Sequence, residues 1–401
     1  MMKIFQNLKS TIWNSKTKSY ALRRRRMVEK QLALLGYDIR DNYYILDTDT
    51  LGYKARIIFP YGLADGSFNY YNPYISILLG VLDNFIEFPV QIGYDIRPNT
   101  ISIDIRAFDL NQLTFTMGSL FNFMKSVDVE EFFKSGLFDT YKKESAKLYH
   151  EGAYEFIKSS NGTISDILME EYSHICNLPE EDLIVHLNNT KEKIREEKCV
   201  VFIQGKGLKD VRKLPFETNK VEFNPIQLEY TTSNKYTLQN PDIYYIIKDF
   251  YPSEFRKEYY KYNWYYLFLN KIFKESRLLL DIPNKIGLYF HDLDGNEELL
   301  SDEMIKGMTD PNNEVIKSYY RDLKAEFLNN YSDFFNSCKT DIIAASEIFI
   351  KSRIIYSPSE AEDVLKEVFE RPIEKFLYDI DTLLLELRGA NRVLRGVIRN
   401  G

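Results

Sequence analysis

VQIGYDIRPNTISIDIRAF, residues 90–108, holds two runs rich in β-branched and aromatic residues on either side of Pro98-Asn99. Ile101, Ile103 and Ile105 alternate with Ser102, Asp104 and Arg106, the period of a strand that buries one face. Proline followed by asparagine supplies turn chemistry, so Ile96 to Ile105 reads as an antiparallel hairpin. Working outward, YYIL (43–46), ARIIF (55–59) and LTFTM (113–117) read as further short strands, with turn material such as Asp65-Gly66 between them. One helix, Pro73 to Asn84, interrupts this β region.

Upstream, Ser15 caps a helix from Lys16 to Leu35 that stops at Gly36 and carries Tyr20, Met27, Leu32 and Leu35 among its apolar residues. Beyond Gly118 the period is helical over Val127 to Lys158 and Ser165 to Cys176, with a break at Asn161-Gly162. CVVFIQG (199–205), VEFNPIQLEY (221–230) and YTL (236–238) form a second β-containing stretch, which Pro215, Pro225 and Pro241 confine to short or edge strands. From Ser253 the chain reads as mostly helical, apart from a hairpin of IGLYFHD (286–292) and EELL (297–300). The expected class is α+β in three consecutive domains. These are a basic helix with a mostly antiparallel β domain (1–118), a mixed helical and β domain (119–250), and a mainly helical domain (251–401) ending in a heptad-patterned helix over 372–399.

The 401 residues are 44% apolar, 28% charged and 15% aromatic, with 30 Tyr against 2 Trp, which is the composition of a globular chain. A net charge of −7 excludes a surface built wholly to coat nucleic acid. Cys176, Cys199 and Cys338 are an odd count at unrelated spacings, so a reducing interior is expected rather than a disulfide framework. No secretory leader and no apolar run of roughly 18 residues is present, so the expected setting is soluble and cytoplasmic, without a membrane. Heavy use of Lys, Asn, Ile and Tyr suggests a low-GC coding source. The charge is uneven: the first thirty residues include Arg23, Arg24, Arg25 and Arg26, and the last fourteen add Arg392 and Arg395 with no acid. Such ends suit an acidic partner or phosphate, nucleic acid included.

Neither GxxxxGK[ST] nor a GxGxxG after a strand occurs, so a P-loop or Rossmann site has no support. Asp182, Gln204 and Lys206 can be laid on the pattern of a Mg²⁺-dependent nuclease of the PD-(D/E)xK type. KEKIREEK between them reads as helical, and a Gln is a weaker metal ligand than a carboxylate. On the other reading, Gly205 and Gly207 simply turn the chain. Asp47 and Asp49 follow the apolar YYIL and share a strand face on which one Mg²⁺ and a phosphate ester fit. His174, Cys176, His186 and Cys199 are ligand types for zinc but lack the paired spacing of structural sites. No cofactor is expected, with Mg²⁺ required only by the nuclease alternative.

FRKEYYKYNWYYLFLNKIFK (255–274) interleaves aromatic and basic residues, as a surface for single-stranded nucleic acid does. Its Phe255, Tyr259, Tyr262, Tyr266, Leu269 and Phe273 recur at spacings of four and three, which favours the core face of one helix. After Pro372, residues Ile373, Phe376, Ile380, Leu383, Leu387, Ala390, Leu394 and Val397 follow a strict three-four alternation, the seam of a coiled coil or of a helix packed on its own domain. No stretch carries a family signature. The functional expectation is a non-enzymatic assembly or adaptor protein. It would bind a protein partner or a second copy through Ile380, Leu383, Leu387 and Leu394, with the nuclease as the alternative.

Overall fold

The computed structural model describes residues 25–60, 73–97, 100–134, 199–210, 243–249, 255–273, 276–282, 285–291, 300–350 and 357–399, with a few residues between 181 and 194. Its helices are α1 (25–34), α2 (Pro73–Phe85), α3 (Leu110–Ser126), α4 (Val129–Lys134), α5 (Phe255–Ile272), α6 (Asp302–Met308), α7 (Glu314–Thr340), α8 (Ile342–Ile350), α9 (Pro358–Phe369) and α10 (Ile373–Arg399). The chain forms an α+β fold of two compact units interleaved along the sequence, 1–148 with 170–226 and 336–355, and 149–169 with 227–335 and 356–401. The chain returns to the first unit at 336.

The first unit is built around β6 (Val200–Gly205), all of whose residues are buried. A continuous apolar run of this kind belongs where both sheet faces are covered. It pairs in parallel with β2 (Tyr43–Asp47) and antiparallel with β3 (Tyr53–Pro60). β1 (Asp38–Arg40) lies outside β2, and the hairpin of β4 (Gln91–Arg97) and β5 (Thr100–Ala107) lies outside β3, giving the order β1-β2-β6-β3-β5-β4. The hairpin expected around Pro98-Asn99 is therefore present.

One sheet face carries Ile45, Ile57, Phe59, Ile103, Ile105 and Val201 against Leu78 and Leu82 of α2 and Leu113, Met117 and Leu120 of α3. LTFTM belongs to α3 and is not a strand. Asp109 caps the helix by accepting the Gln112 N–H at 2.8 Å, and the buried residues follow the helical repeat. On the opposite face Tyr44 stacks on Phe202 at 4.7 Å and both meet Phe349 of α8. Val28 and Leu32 bury the inner side of α1, which ends at Gly36 with a positive φ of 98°, as the sequence indicated. Arg25, one of the basic residues expected to suit an acidic partner or phosphate, bonds Glu29 and Asn42 within the unit at 2.8 and 2.9 Å.

The second unit has a three-stranded antiparallel sheet, β7 (Ile243–Asp249), β9 (Lys285–His291) and β8 (Arg277–Ile282), in the order β7-β9-β8. Strand β8 falls in a stretch expected to be helical, and it and β7 are the partners of β9. The proposed hairpin partner at 297–299, the strands at 221–238 and the helices at 135–176 lie outside the described residues. The aromatic stretch is α5, whose Tyr259, Trp264, Phe268 and Leu269 are buried, so its spacing marks a core helix. Phe376 of α10 sits 4.7 Å from the Trp264 ring and 5.1 Å from that of Phe268. At the start of α10, Asp379 accepts the Tyr265 hydroxyl at 2.6 Å and pairs with Arg371. Burial and this bond to Asp379 push the Tyr265 phenol well above its ordinary range.

Ile380, Leu383 and Leu387 are 0%, 3% and 0% exposed inside this core, so the heptad stripe is the inner face of a helix packed on its own unit. The side chains of Leu394, Arg392 and Arg395 lie outside the described ones. No helix among the described residues is long and apolar enough to cross a membrane. Leu387→Glu puts a carboxylate into the apolar core, and we expect it to cost more than about 4 kcal/mol. Urea unfolding followed by the fluorescence of buried Trp264 checks this, with a shifted midpoint and no change in the size of the folded wild-type and variant species by light scattering.

Candidate functional site

The Gly-Lys motif after β6 is a joint. The Gln204 amide is 2% exposed and satisfied at both ends, donating to the Thr340 carbonyl at 2.7 Å and accepting the Ile342 N–H at 3.3 Å. Gly205 lies under Tyr53, and a Cβ there would fall 2.2 Å from the ring. Gly207 has φ of 73° and opens the short 3₁₀ turn Leu208–Asp210. The Asp47 carboxylate accepts the Gly207 and Lys209 N–H groups at 2.9 and 3.3 Å, which occupies it as a turn cap. Lys206 and Asp49 face each other at 3.4 Å with both side chains largely in solvent.

Asp182, His174, Cys176 and His186 lie outside the described residues, and Cys199 is buried in apolar core. Among the described residues no three His, Cys, Asp or Glu side chains converge as a metal site.

A different set of groups converges across β3, β5 and β4. Register places Arg56 opposite Asp104 and Asp104 opposite Gly93, with Ser102 opposite Asp95 in the next row. These residues share the face away from α2 and α3, because side chains on a strand alternate. Arg56 is 3% exposed and reaches Asp95 Oδ2 at 3.4 Å and Asp104 Oδ1 at 3.6 Å. The second distance is an ion pair too long for a hydrogen bond. Arg56 Nε, Asp104 Oδ1, Ser102 Oγ and Thr100 Oγ1 are all buried without a hydrogen-bond partner. Burial raises the Asp104 carboxyl pKa and the Arg56 guanidinium opposes that rise. Four orphaned polar atoms on one stretch of sheet are costly, at about 1–3 kcal/mol for each unsatisfied group.

Among the described residues the edge beside them is unpaired. β4 is seven residues long, and among the described residues no strand pairs with its outer side. Gly93 sits mid-strand without a positive φ, and nothing lies within 4 Å of where its Cβ would be. Neither backbone conformation nor internal packing among the described residues requires a glycine there, although glycine weakens a strand. The sequence shows the alternation of Thr100, Ser102 and Asp104 with isoleucines. It does not show that β4 is the edge, since strand order depends on segments far apart in the chain.

No protein family matches the chain by sequence, and no curated protein does. Among solved structures the fold is similar to that of the ferredoxin protease FusC bound to Arabidopsis ferredoxin, at 10% identity and TM-score 0.48, covering 88% of this chain and 46% of that one. A putative M16-like peptidase from Alicyclobacillus acidocaldarius gives 8% identity and TM-score 0.45, covering 86% and 95%. The periplasmic protease PqqL from Escherichia coli gives 12% and 0.43, covering 85% and 43%. The chain thus spans less than half the length of FusC and of PqqL. The readings as an assembly adaptor and as a Mg²⁺-dependent nuclease are corrected by the structure itself. The groups that carried those readings are engaged elsewhere: the described seam residues are core, Gln204 is a buried joint and Asp47 is a cap. The chain's histidines, at 150, 174, 186 and 291, nowhere form H-x-x-E-H, a zinc-ligand spacing of metallopeptidases.

Gln204→Leu strands the Thr340 carbonyl and the Ile342 N–H and should cost about 1–3 kcal/mol, whereas Lys206→Ala should stay within about 0.5 kcal/mol of wild type. Thermal unfolding of the two variants side by side checks the assignment. Gly205→Ala should destabilise by about 1–3 kcal/mol through overpacking against Tyr53, and the loss should shrink in a Tyr53→Ala background.

Proposed function

We propose that the first unit binds an extended polypeptide segment by strand addition along β4. The observation that carries this reading is Gly93, a glycine that no described contact or backbone angle requires, in the middle of a strand whose outer side pairs with no described strand. A glycine in a strand interior marks close approach of another backbone, and an edge supplies unpaired N–H and C=O groups for one. Main-chain pairing then gives affinity and the flanking faces give selectivity. The reading is one of binding and takes no step of hydrolysis.

The test uses nine-residue peptides of alternating threonine and valine. Bound peptide should slow amide exchange across 91–97. A peptide N-methylated at alternate residues along its pairing edge should lose binding, while the isomer methylated along the other edge keeps it. Binding that leaves exchange at 91–97 unchanged, or equal binding of both isomers, overturns the reading. Gly93→Val should stabilise the free protein by about 0.5–1 kcal/mol, because valine suits a strand and the space is open.

A further inference from the structure

Resting on the strand-addition reading, we propose that the bound segment carries an arginine or lysine at the position paired with Gly93, and that Asp104 receives its cationic head. The ladder places Arg56, Asp104 and Gly93 in one lateral row. β4 presents Gln91 and Asp95 in the rows on either side, and no side chain in the row between. Among the described residues, a side chain of the added strand that points to this face therefore meets nothing over Gly93 on its way to the Asp104 carboxylate. The path is long: two ladder spacings separate the added strand from β5, about 9.6 Å. Only a long side chain covers it.

The groups at the end of the path set the chemistry. Arg56 is shared between two carboxylates, Asp95 at 3.4 Å and Asp104 at 3.6 Å. Asp104 Oδ1 accepts no hydrogen bond, and neither does the neighbouring Ser102 hydroxyl, on a residue 1% exposed. Oδ1 itself is buried, but the Asp104 side chain is 27% exposed, so an approaching head group meets the carboxylate from its exposed side. Arg106, one row away, has an exposed side chain and leaves that acceptor unmet. An acceptor of this kind takes a charged donor best, and a guanidinium or ammonium supplies one where a carboxylate would be repelled. A second cation also compensates the burial that raises the Asp104 carboxyl pKa.

The experiment uses fluorescein-labelled Thr-Val-Thr-Val-X-Val-Thr-Val-Thr peptides, with X as arginine, lysine, citrulline, norleucine or glutamate, and anisotropy with the full chain. Arginine and lysine peptides should bind roughly tenfold tighter than citrulline and norleucine peptides, with glutamate weakest. The preference should vanish in Asp104→Asn, which keeps the side-chain shape. Gly93→Val, which fills the gap beside the incoming backbone, should weaken every peptide and abolish the preference as well. Equal affinity for arginine and norleucine peptides, with exchange at 91–97 still slowed, overturns the basic specificity and leaves strand addition standing. A preference that persists in Asp104→Asn does the same. Failure of every peptide to bind overturns strand addition and this inference with it.

Discussion

A strand that is apolar at every position has no side to give to water, and β6 is such a strand. Burying Val200 to Gly205 on both faces requires a layer on each, and the first unit supplies α2 and α3 on one side and α1 and α8 on the other. The chain must return at 336 to bring α8 in, long after it has left to build the second unit. The Gln204 amide, bonded to Thr340 and Ile342, fixes where that return lands. A buried amide with both ends satisfied specifies one register for α8, since any shift would strand a donor or an acceptor. The glycine beside it follows from the same crowding, because Tyr53 closes over the end of β6.

Local pattern made part of this legible. The 96–105 hairpin, the α2 helix, the stop at Gly36 and the α5 core face all follow from spacing and turn residues within one segment. LTFTM failed because five residues cannot separate alternation from one turn and a half of helix; Asp109, the cap, held the deciding signal. RLLLDI failed because a short apolar run fits a buried strand or a buried helix equally well, and only its pairing with β9 decides. The edge position of β4 and the row through Arg56, Asp104 and Gly93 were beyond reach, because both depend on β3 and β6 lying where non-local pairing puts them.

The α10 stripe shows how one pattern serves two physical ends. A three-four seam says that a helix has an apolar side and leaves open what covers it. Here the cover is aromatic: the rings of Trp264, Tyr265, Phe268 and Tyr320 gather around Phe376. The abundance of tyrosine over tryptophan has its use here too. Tyr265 and Tyr320 bury a ring and still place a hydroxyl on Asp379 or on the Arg371 carbonyl.

The two edges of the six-stranded sheet are treated differently, and the difference bears on what β4 is for. β1 is three residues long, with Arg40 and Asp38 paired on it at 2.7 Å, which offers an incoming strand little to hold. β4 is seven residues long, and its charge Asp95 is turned onto the sheet toward Arg56. An inward-pointing charge protects an edge when docking would strip it of solvent without giving it a partner. Asp95 already has its partner, so a strand laid against β4 strips it of little that Arg56 does not return. The charge that ought to repel a neighbour has been neutralised from within, and the residue beside it has been reduced to a hydrogen atom. An edge kept long, paired from behind and cleared at its centre is what the proposed strand addition requires.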